Sequence, residues 1–278
     1  MPNSLIPSAE EAAAAWGRQV RADRAQVEQY REEPERSDFY APIAANFKAD
    51  PRRTNDPVLN SLLDLVQPGE TWLDIGAGGG RLSLPIALKA KEVIALDASK
   101  GMLEVLRECM TEYAVPNVRV VESRWPAVEA PKADVALIAN VGNDIEEMGA
   151  FLDAMEASAR RLCVAIQPSR PPASYAFPFW PRVHGVERIE LPSLPELLAL
   201  LLARGRIFEV KLFPRAGMSS DSFETAQRML RVQTWVKAGS EKDAELGRAM
   251  TEMLTERDGR WSVDWRPLHQ GLVTWAPR

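Results

Sequence analysis

The densest concentration of chemistry in this 278-residue sequence is Leu73-Asp74-Ile75-Gly76-Ala77-Gly78-Gly79-Gly80-Arg81-Leu82. An apolar run carries an acid, turns through closely spaced glycines and leads into a segment with helical spacing. A chain that wraps a phosphate or a nucleoside turns from strand to helix in this way. Glycine permits positive φ there and lets a ligand approach the backbone with no Cβ in the way. The spacing discriminates between ligands. A dinucleotide fingerprint, G-x-G-x-x-G, wants glycine where Arg81 stands, whereas D-x-G-x-G-x-G fits Asp74, Gly76, Gly78 and Gly80. A second acid, Asp97, closes the next apolar run, Val93 to Leu96, 21 residues beyond Gly76. A carboxylate at that place can accept both ribose hydroxyls of an adenosine. Alone, it would suit a nicotinamide dinucleotide equally.

Asp74 separates the two. A carboxylate at a strand end can pair with an ammonium group, which S-adenosylmethionine has and a pyrophosphate lacks. On these residues the sequence resembles the class I S-adenosylmethionine-dependent methyltransferases, in a small-molecule-type bacterial branch. Asp97-Ala98-Ser99-Lys100-Gly101-Met102-Leu103 is similar to that family's D-x-S-x-x-M-L pattern. The resemblance implies that Gly76, Ala77, Gly78 and Gly80 bring backbone to the cofactor and that Asp74 meets its amino end. It places Asp97 and Ala98 at the ribose and Met102 near the adenine. Glu122-Ser123-Arg124-Trp125 aligns with the segment after the third strand but departs from the family's usual Gly-Asp-Ala. Ser123 and Arg124 are expected at the adenine there, with Trp125 stacking on it. Asn140, ending the fourth strand, is expected to face the methionine portion. Asn140-Val141-Gly142-Asn143 is not the (N/D)-P-P-(Y/F) of enzymes acting on amide or adenine amino nitrogens.

Short apolar runs at Thr71 to Ile75, 93–96, Val118 to Val121, Val135 to Ala139 and Leu162 to Ile166 alternate with helix-length segments at Leu82 to Ala90, Gly101 to Tyr113 and Ile145 to Arg160. That alternation predicts an α/β fold with a parallel sheet covered on both faces. A helix from Leu194 to Arg204, a strand from Ile207 to Phe213, helices at about Ser222 to Val236 and Glu241 to Arg257, and a strand near Leu272 to Trp275 follow. The resemblance makes this a Rossmann-like class I fold, with a seven-stranded, mostly parallel sheet whose last strand is antiparallel. It is expected as one domain: residues 1–67 a helical cap folding across the cofactor, 68–214 the core, 215–265 a helical insertion, 266–278 the last strand. Asp56 and Pro57 open a short helix before Pro68-Gly69.

The aromatic residues after the fifth strand, Tyr175, Phe177, Phe179 and Trp180, either wall a substrate or form an apolar plug. Tyr40, Asn143, Phe179, Trp180 and His184 are the substrate-side candidates, His184 as a base near neutral pH or as a satisfied structural residue. Lys plus Arg is 34 and Asp plus Glu 39, a net charge of −5, which disfavours a nucleic-acid surface. Two cysteines and two histidines offer little to a metal centre, and none is expected. With no signal-peptide pattern and no apolar run of bilayer length, a cytoplasmic protein without a membrane partner is expected. The function implied is methyl transfer from S-adenosylmethionine to a small-molecule O, N or S nucleophile by in-line displacement. A non-catalytic S-adenosylmethionine-binding protein and an NAD(P)-dependent oxidoreductase are the rivals.

Overall fold

The turn of residues 76–80 leaves the carboxyl end of β1 (Thr71–Ile75), a strand buried along nearly all of its length. Such a run, apolar on both faces, is stable only with a strand on each side and helices above and below. The computed structural model describes residues 7–34, 47–217, 219–263 and 268–278, and provides both. β1 pairs in parallel with β2 (Glu92–Asp97) and β4 (Ala133–Ala139). β3 (Val118–Glu122) adds to β2, and β5 (Ala159–Pro168) to β4. β6 (Phe208–Arg215) forms the far edge. β10 (Leu268–Trp275), the last strand, lies antiparallel between β5 and β6, giving the order β3-β2-β1-β4-β5-β10-β6. The expected seven-stranded sheet is present.

Alternation along each strand assigns its residues to two faces. Trp72, Ala95, Leu137, Ile166 and Leu272 pack against α2 (Pro57–Leu63), α3 (Ser83–Ala87) and α4 (Lys100–Glu112). Leu73, Ile75, Ile94, Ile138, Ala165 and Val273 pack on the other face against α1 (Ala9–Tyr30), α5 (Met148–Ser158) and α7 (Leu194–Ala203). Asp74 and Asp97, each one step along from residues of the second face, project from the first.

α1 starts at a capping box, Ser8 Oγ accepting from the Glu11 N–H and the Glu11 carboxylate accepting from the Ser8 N–H. Of the segment expected as a cap, α1 and α2 pack on opposite faces of the sheet, and residues 35–46 lie outside the described residues. Trp16 and Val20 bury α1 beside α5 and α7, and Trp16 Nε1 donates to the Ile145 carbonyl at 2.8 Å. Asp56 caps α2 as the sequence predicts, accepting from the Leu59 N–H at 3.1 Å.

Between β6 and β10 the chain forms β7 (Ser219–Ser220), α8 (Phe223–Thr234), α9 (Glu241–Met253), β8 (Leu254–Arg257) and β9 (Arg260–Val263). The predicted helix through Arg257 therefore ends at Met253, and β7-β9-β8 make a second small sheet. Asp258 and Gly259 both take positive φ, +53° and +71°, the two-residue hairpin turn for which Asp-Gly is the strongest short signal. Among the described residues no helix is long and apolar enough to cross a membrane.

Candidate functional site

The glycine turn is held before any ligand arrives. Gly76 and Ala77 donate their N–H groups to the Leu96 carbonyl of β2, at 2.7 and 3.0 Å. A Cβ at Gly76 would collide with Val141, and one at Gly80 with Leu106, so these positive-φ residues are glycine for packing as well as conformation. Gly78 differs. At φ +54° the nearest atom to where its Cβ would stand is Met102 Sδ, at 3.8 Å, so among the described residues its outer surface is open to close approach.

Asp97 ends β2 beside this opening. Its Oδ2 accepts from the Gly78 N–H and its Oδ1 from the Ser99 N–H, both at 2.8 Å. Each oxygen keeps a lone pair for a ribose hydroxyl, and the carboxylate is fixed before binding. Ala98, exposed, follows it, and Ser99 caps α4 by accepting from the Met102 N–H.

Asp74 lies beneath the turn, only 2% exposed. Ser83 Oγ donates to its Oδ2 at 2.5 Å, while Oδ1 carries no hydrogen bond among the described residues. Burial, opposed by the Ser83 bond and reinforced by the Asp97 charge, pushes its carboxyl up to about 6. Burial without a cation disfavours the charged form. A positive group at Oδ1 would reverse that, and the ammonium of S-adenosylmethionine is such a group. The open Gly78, the fixed Asp97 and the cation-less Asp74 thus fit the cofactor.

The other expected contacts are distributed as follows. Ser123 donates its N–H to the Asp97 carbonyl at 3.0 Å and its hydroxyl to the Arg124 carbonyl, and Arg124 is exposed. Trp125 is half-buried against α5. Its Nε1 donates to the Phe151 carbonyl, and its ring meets Phe151 edge-on at 6.3 Å. Asn140, exposed at φ +55°, accepts from Gln270 Nε2 through Oδ1 at 3.2 Å. Asn143 is turned inward, its Nδ2 donating to the Pro192 carbonyl at 2.5 Å, which makes it a brace for the loop. Tyr40 lies outside the described residues. Phe47, which follows that segment, rests near Gly79.

The aromatic segment resolves as the plug. Residues Pro172–Phe179 form a 3-10 turn leading into α6 (Trp180–His184), and Phe179 joins α8 and α9 in a third apolar cluster. Phe179 is 0% and Trp180 1% exposed, so neither offers a surface to a substrate. His184 Nε2 faces the Thr234 carbonyl at 2.8 Å, and its ring lies 4.2 Å from Trp180 and 5.4 Å from Tyr30. Burial holds its pKa below the usual 6.5. The ring is packed between Trp180 and Tyr30, and its Nδ1 is buried with no hydrogen-bond partner among the described residues. Replacing it, His184→Gln, should cost about 1 kcal/mol of stability and leave cofactor affinity unchanged, read by denaturant unfolding and calorimetry.

Sequence reasoning missed Ser83, which holds Asp74, and Gln167 and Gln270, which hold the 140–143 loop from β5 and β10. Gln167 Nε2 donates to the Val141 carbonyl. These residues have no local signature: Gln167 and Gln270 act across 26 and 130 residues, and Ser83 reaches Asp74 only once the glycine turn has folded back.

A glycine turn, a ribose acid and a 3-2-1-4-5 parallel sheet closed by an antiparallel last strand define the class I S-adenosylmethionine-dependent methyltransferase fold. Residues 73–163 match the family model described as "Methyltransferase domain". Ribosomal RNA small subunit methyltransferase G of Neisseria gonorrhoeae is 38% identical over 77 residues, which is 27% of this chain and 37% of that protein. The chain spans about a third to under a half of the length of the first curated relatives it matches. A solved SAM-dependent methyltransferase from Geobacter sulfurreducens, in complex with S-adenosyl-L-homocysteine, superposes with a TM-score of 0.53 at 17% identity, covering 85% of this chain and 96% of that one. Magnesium protoporphyrin IX methyltransferase from Synechocystis with bound SAH gives 0.51 at 13%, covering 97% and 100%. At those identities they share the fold.

Proposed function

We propose that this protein transfers the methyl group of S-adenosylmethionine to a small-molecule acceptor. The observation that carries the reading is the prepared opening at Gly78, with Asp97 fixed beside it and Asp74 buried without a cation below it. When bound, the cofactor supplies an activated methyl group on a sulfonium sulfur. The chain's own residues hold and orient. Asp97 takes the ribose hydroxyls, Asp74 Oδ1 takes the ammonium, and the loop 140–143 flanks the donor end. The acceptor's lone pair forms the new bond to the methyl carbon as the carbon–sulfur bond breaks, so alignment and exclusion of water are the main demands on the protein.

RNA is the rival acceptor, because sequence relatives carry ribosomal RNA methyltransferase names. The matched segment is the cofactor half, and a net charge of −5 provides no broad cationic surface to hold phosphates. Thermal shift with S-adenosylhomocysteine against NAD tests the cofactor. S-adenosylhomocysteine should raise the midpoint and NAD should not. Asp97→Ala should weaken S-adenosylhomocysteine by about 2 kcal/mol, about 30-fold, since a charge-assisted pair is lost and the turn loosens. Wild-type affinity in that variant would remove the ribose assignment. Transfer of labelled methyl to ribosomal RNA, with none to small hydroxyl, amine and thiol acceptors, would overturn the acceptor class.

A further inference from the structure

Arg215 is the last residue of β6 and stands opposite Leu268 of β10. Directly opposed residues of an antiparallel pair share a face, and Arg215 therefore lies with Phe213, Leu268, Gln270 and Leu272. Leu272 and Phe213 belong to the apolar layer under α2–α4, the face from which Asp74 and Asp97 project. β6 runs parallel to β1 and β4, so its end is also the carboxyl end, where ligands of such sheets bind. Arg215 thus occupies the same face and end as the cofactor acids, at the far side of the sheet.

It is half-buried and has no hydrogen-bond or ion-pair partner among the described residues. Burial lowers its pKa with no carboxylate opposing the shift. Among the described residues no carboxylate or carbonyl accepts from its guanidinium. Other shielded arginines are matched: Arg188 to Asp23, Arg206 to Glu156, Arg161 to Glu70. A desolvated, always-charged fork with no acceptor is what a planar bidentate anion would complete. Gln270, two residues from Leu268 on this face, reaches Asn140 at the end of β4, linking Arg215's neighbourhood to the donor loop.

We infer that Arg215 anchors a carboxylate of the methyl acceptor, an inference that rests on the methyltransferase reading above. One guanidinium balances one negative charge, and a dianionic phosphate would add uncompensated charge to a face already holding Asp74 and Asp97. β6 is three strand spacings from β4, about 14 Å at ~4.8 Å each, so the anchored carboxylate is a handle set apart from the methylated atom. Phe213 and Leu268 flank it and suit an apolar body.

The test titrates acetate, benzoate and phenylacetate, each beside its neutral amide, into the S-adenosylhomocysteine-loaded protein, for wild type, Arg215→Met and Arg215→Lys. At least one acid should bind tenfold or more tighter than its amide. That preference should vanish in Arg215→Met and return in part in Arg215→Lys, with S-adenosylhomocysteine affinity and unfolding midpoint unchanged. No preference for any acid, or a preference surviving in Arg215→Met, overturns the anchor. Failure of S-adenosylhomocysteine to bind wild type, measured in the same titrations, overturns the methyltransferase reading instead.

Discussion

Asp74→Asn is expected to stabilise the ligand-free protein at pH 7.5 and to weaken its hold on S-adenosylhomocysteine. The folded carboxyl sits at about 6 against an ordinary 3.8, because burial penalises the charged form. Between those pH values the folded state holds a proton that the unfolded state has lost. The contribution is fully present below pH 3.8 and is lost as pH rises through about 6. At pH 7.5 an ionised Asp74 therefore costs about 3 kcal/mol, two units at 1.36 each. Asparagine keeps the shape, its oxygen can still accept from Ser83 Oγ, and it carries no charge to bury. The variant should gain up to about 3 kcal/mol in urea unfolding at pH 7.5 and little at pH 4. Equal gains at both pH values would show that ionisation is not the cause. Binding should move the other way. Wild-type affinity for S-adenosylhomocysteine should fall as pH drops through 6, where Asp74 takes up its proton, and the variant's affinity should be lower and flat over that range. A group that strains the empty protein and attracts the ligand's cation belongs to the site, and a merely structural acid would not couple the two.

Glu156→Ala should cost about 3–5 kcal/mol, the usual result of breaking a buried ion pair on one side. Glu156, 4% exposed in α5, accepts from Arg206 Nε at 2.7 Å, Arg206 Nη2 at 2.5 Å and Trp275 Nε1 at 3.0 Å. Truncation leaves the buried Arg206 cation with only the Arg204 carbonyl, accepting from Nη1, and strips the acceptor from Nε, Nη2 and the Trp275 indole N–H. This cluster ties α5, the turn after α7 and the end of β10 at the amino end of the sheet, opposite the glycine turn. Affinity for S-adenosylhomocysteine per folded molecule should therefore stay at the wild-type value. Glu156→Leu with Arg206→Met should recover most of the loss, since an apolar replacement removes the unpaired charge. If the double variant is as unstable as Glu156→Ala, the loss arises from packing rather than from the stranded cation.

The elements that carry the cofactor face were legible because each has a local cause. Strand runs such as 71–75 and 93–96 read from burial on both faces, the α2 start from Asp56-Pro57, and the ligand turn from glycine spacing. The Asp258-Gly259 hairpin was equally local, yet it stood in a segment whose apolar spacing also suits a helix, and the turn decided it. The aromatic segment after β5 was not decidable. Tyr175, Phe177, Phe179 and Trp180 have the composition of a substrate wall and of a core, and only the arrival of α8 and α9 around Phe179, and of Tyr30 and Arg188 against Trp180, made those two core. The partner of His184 Nε2, the Thr234 carbonyl 50 residues on, was likewise set only by the fold.

The sequence by itself determined the backbone's local states and the residues on each strand's two faces, which suffices for the glycine turn and for Asp74 and Asp97 on adjacent strands. Only the tertiary structure decided which surfaces cover which. It packed α1 against α5 and α7, buried Phe179 and Trp180, and brought Arg215 to the face of Asp74 and Asp97 with no acceptor among the described residues. The reason is physical: turn geometry and periodicity act over a few residues, whereas burial and pairing are decided between segments far apart in the chain.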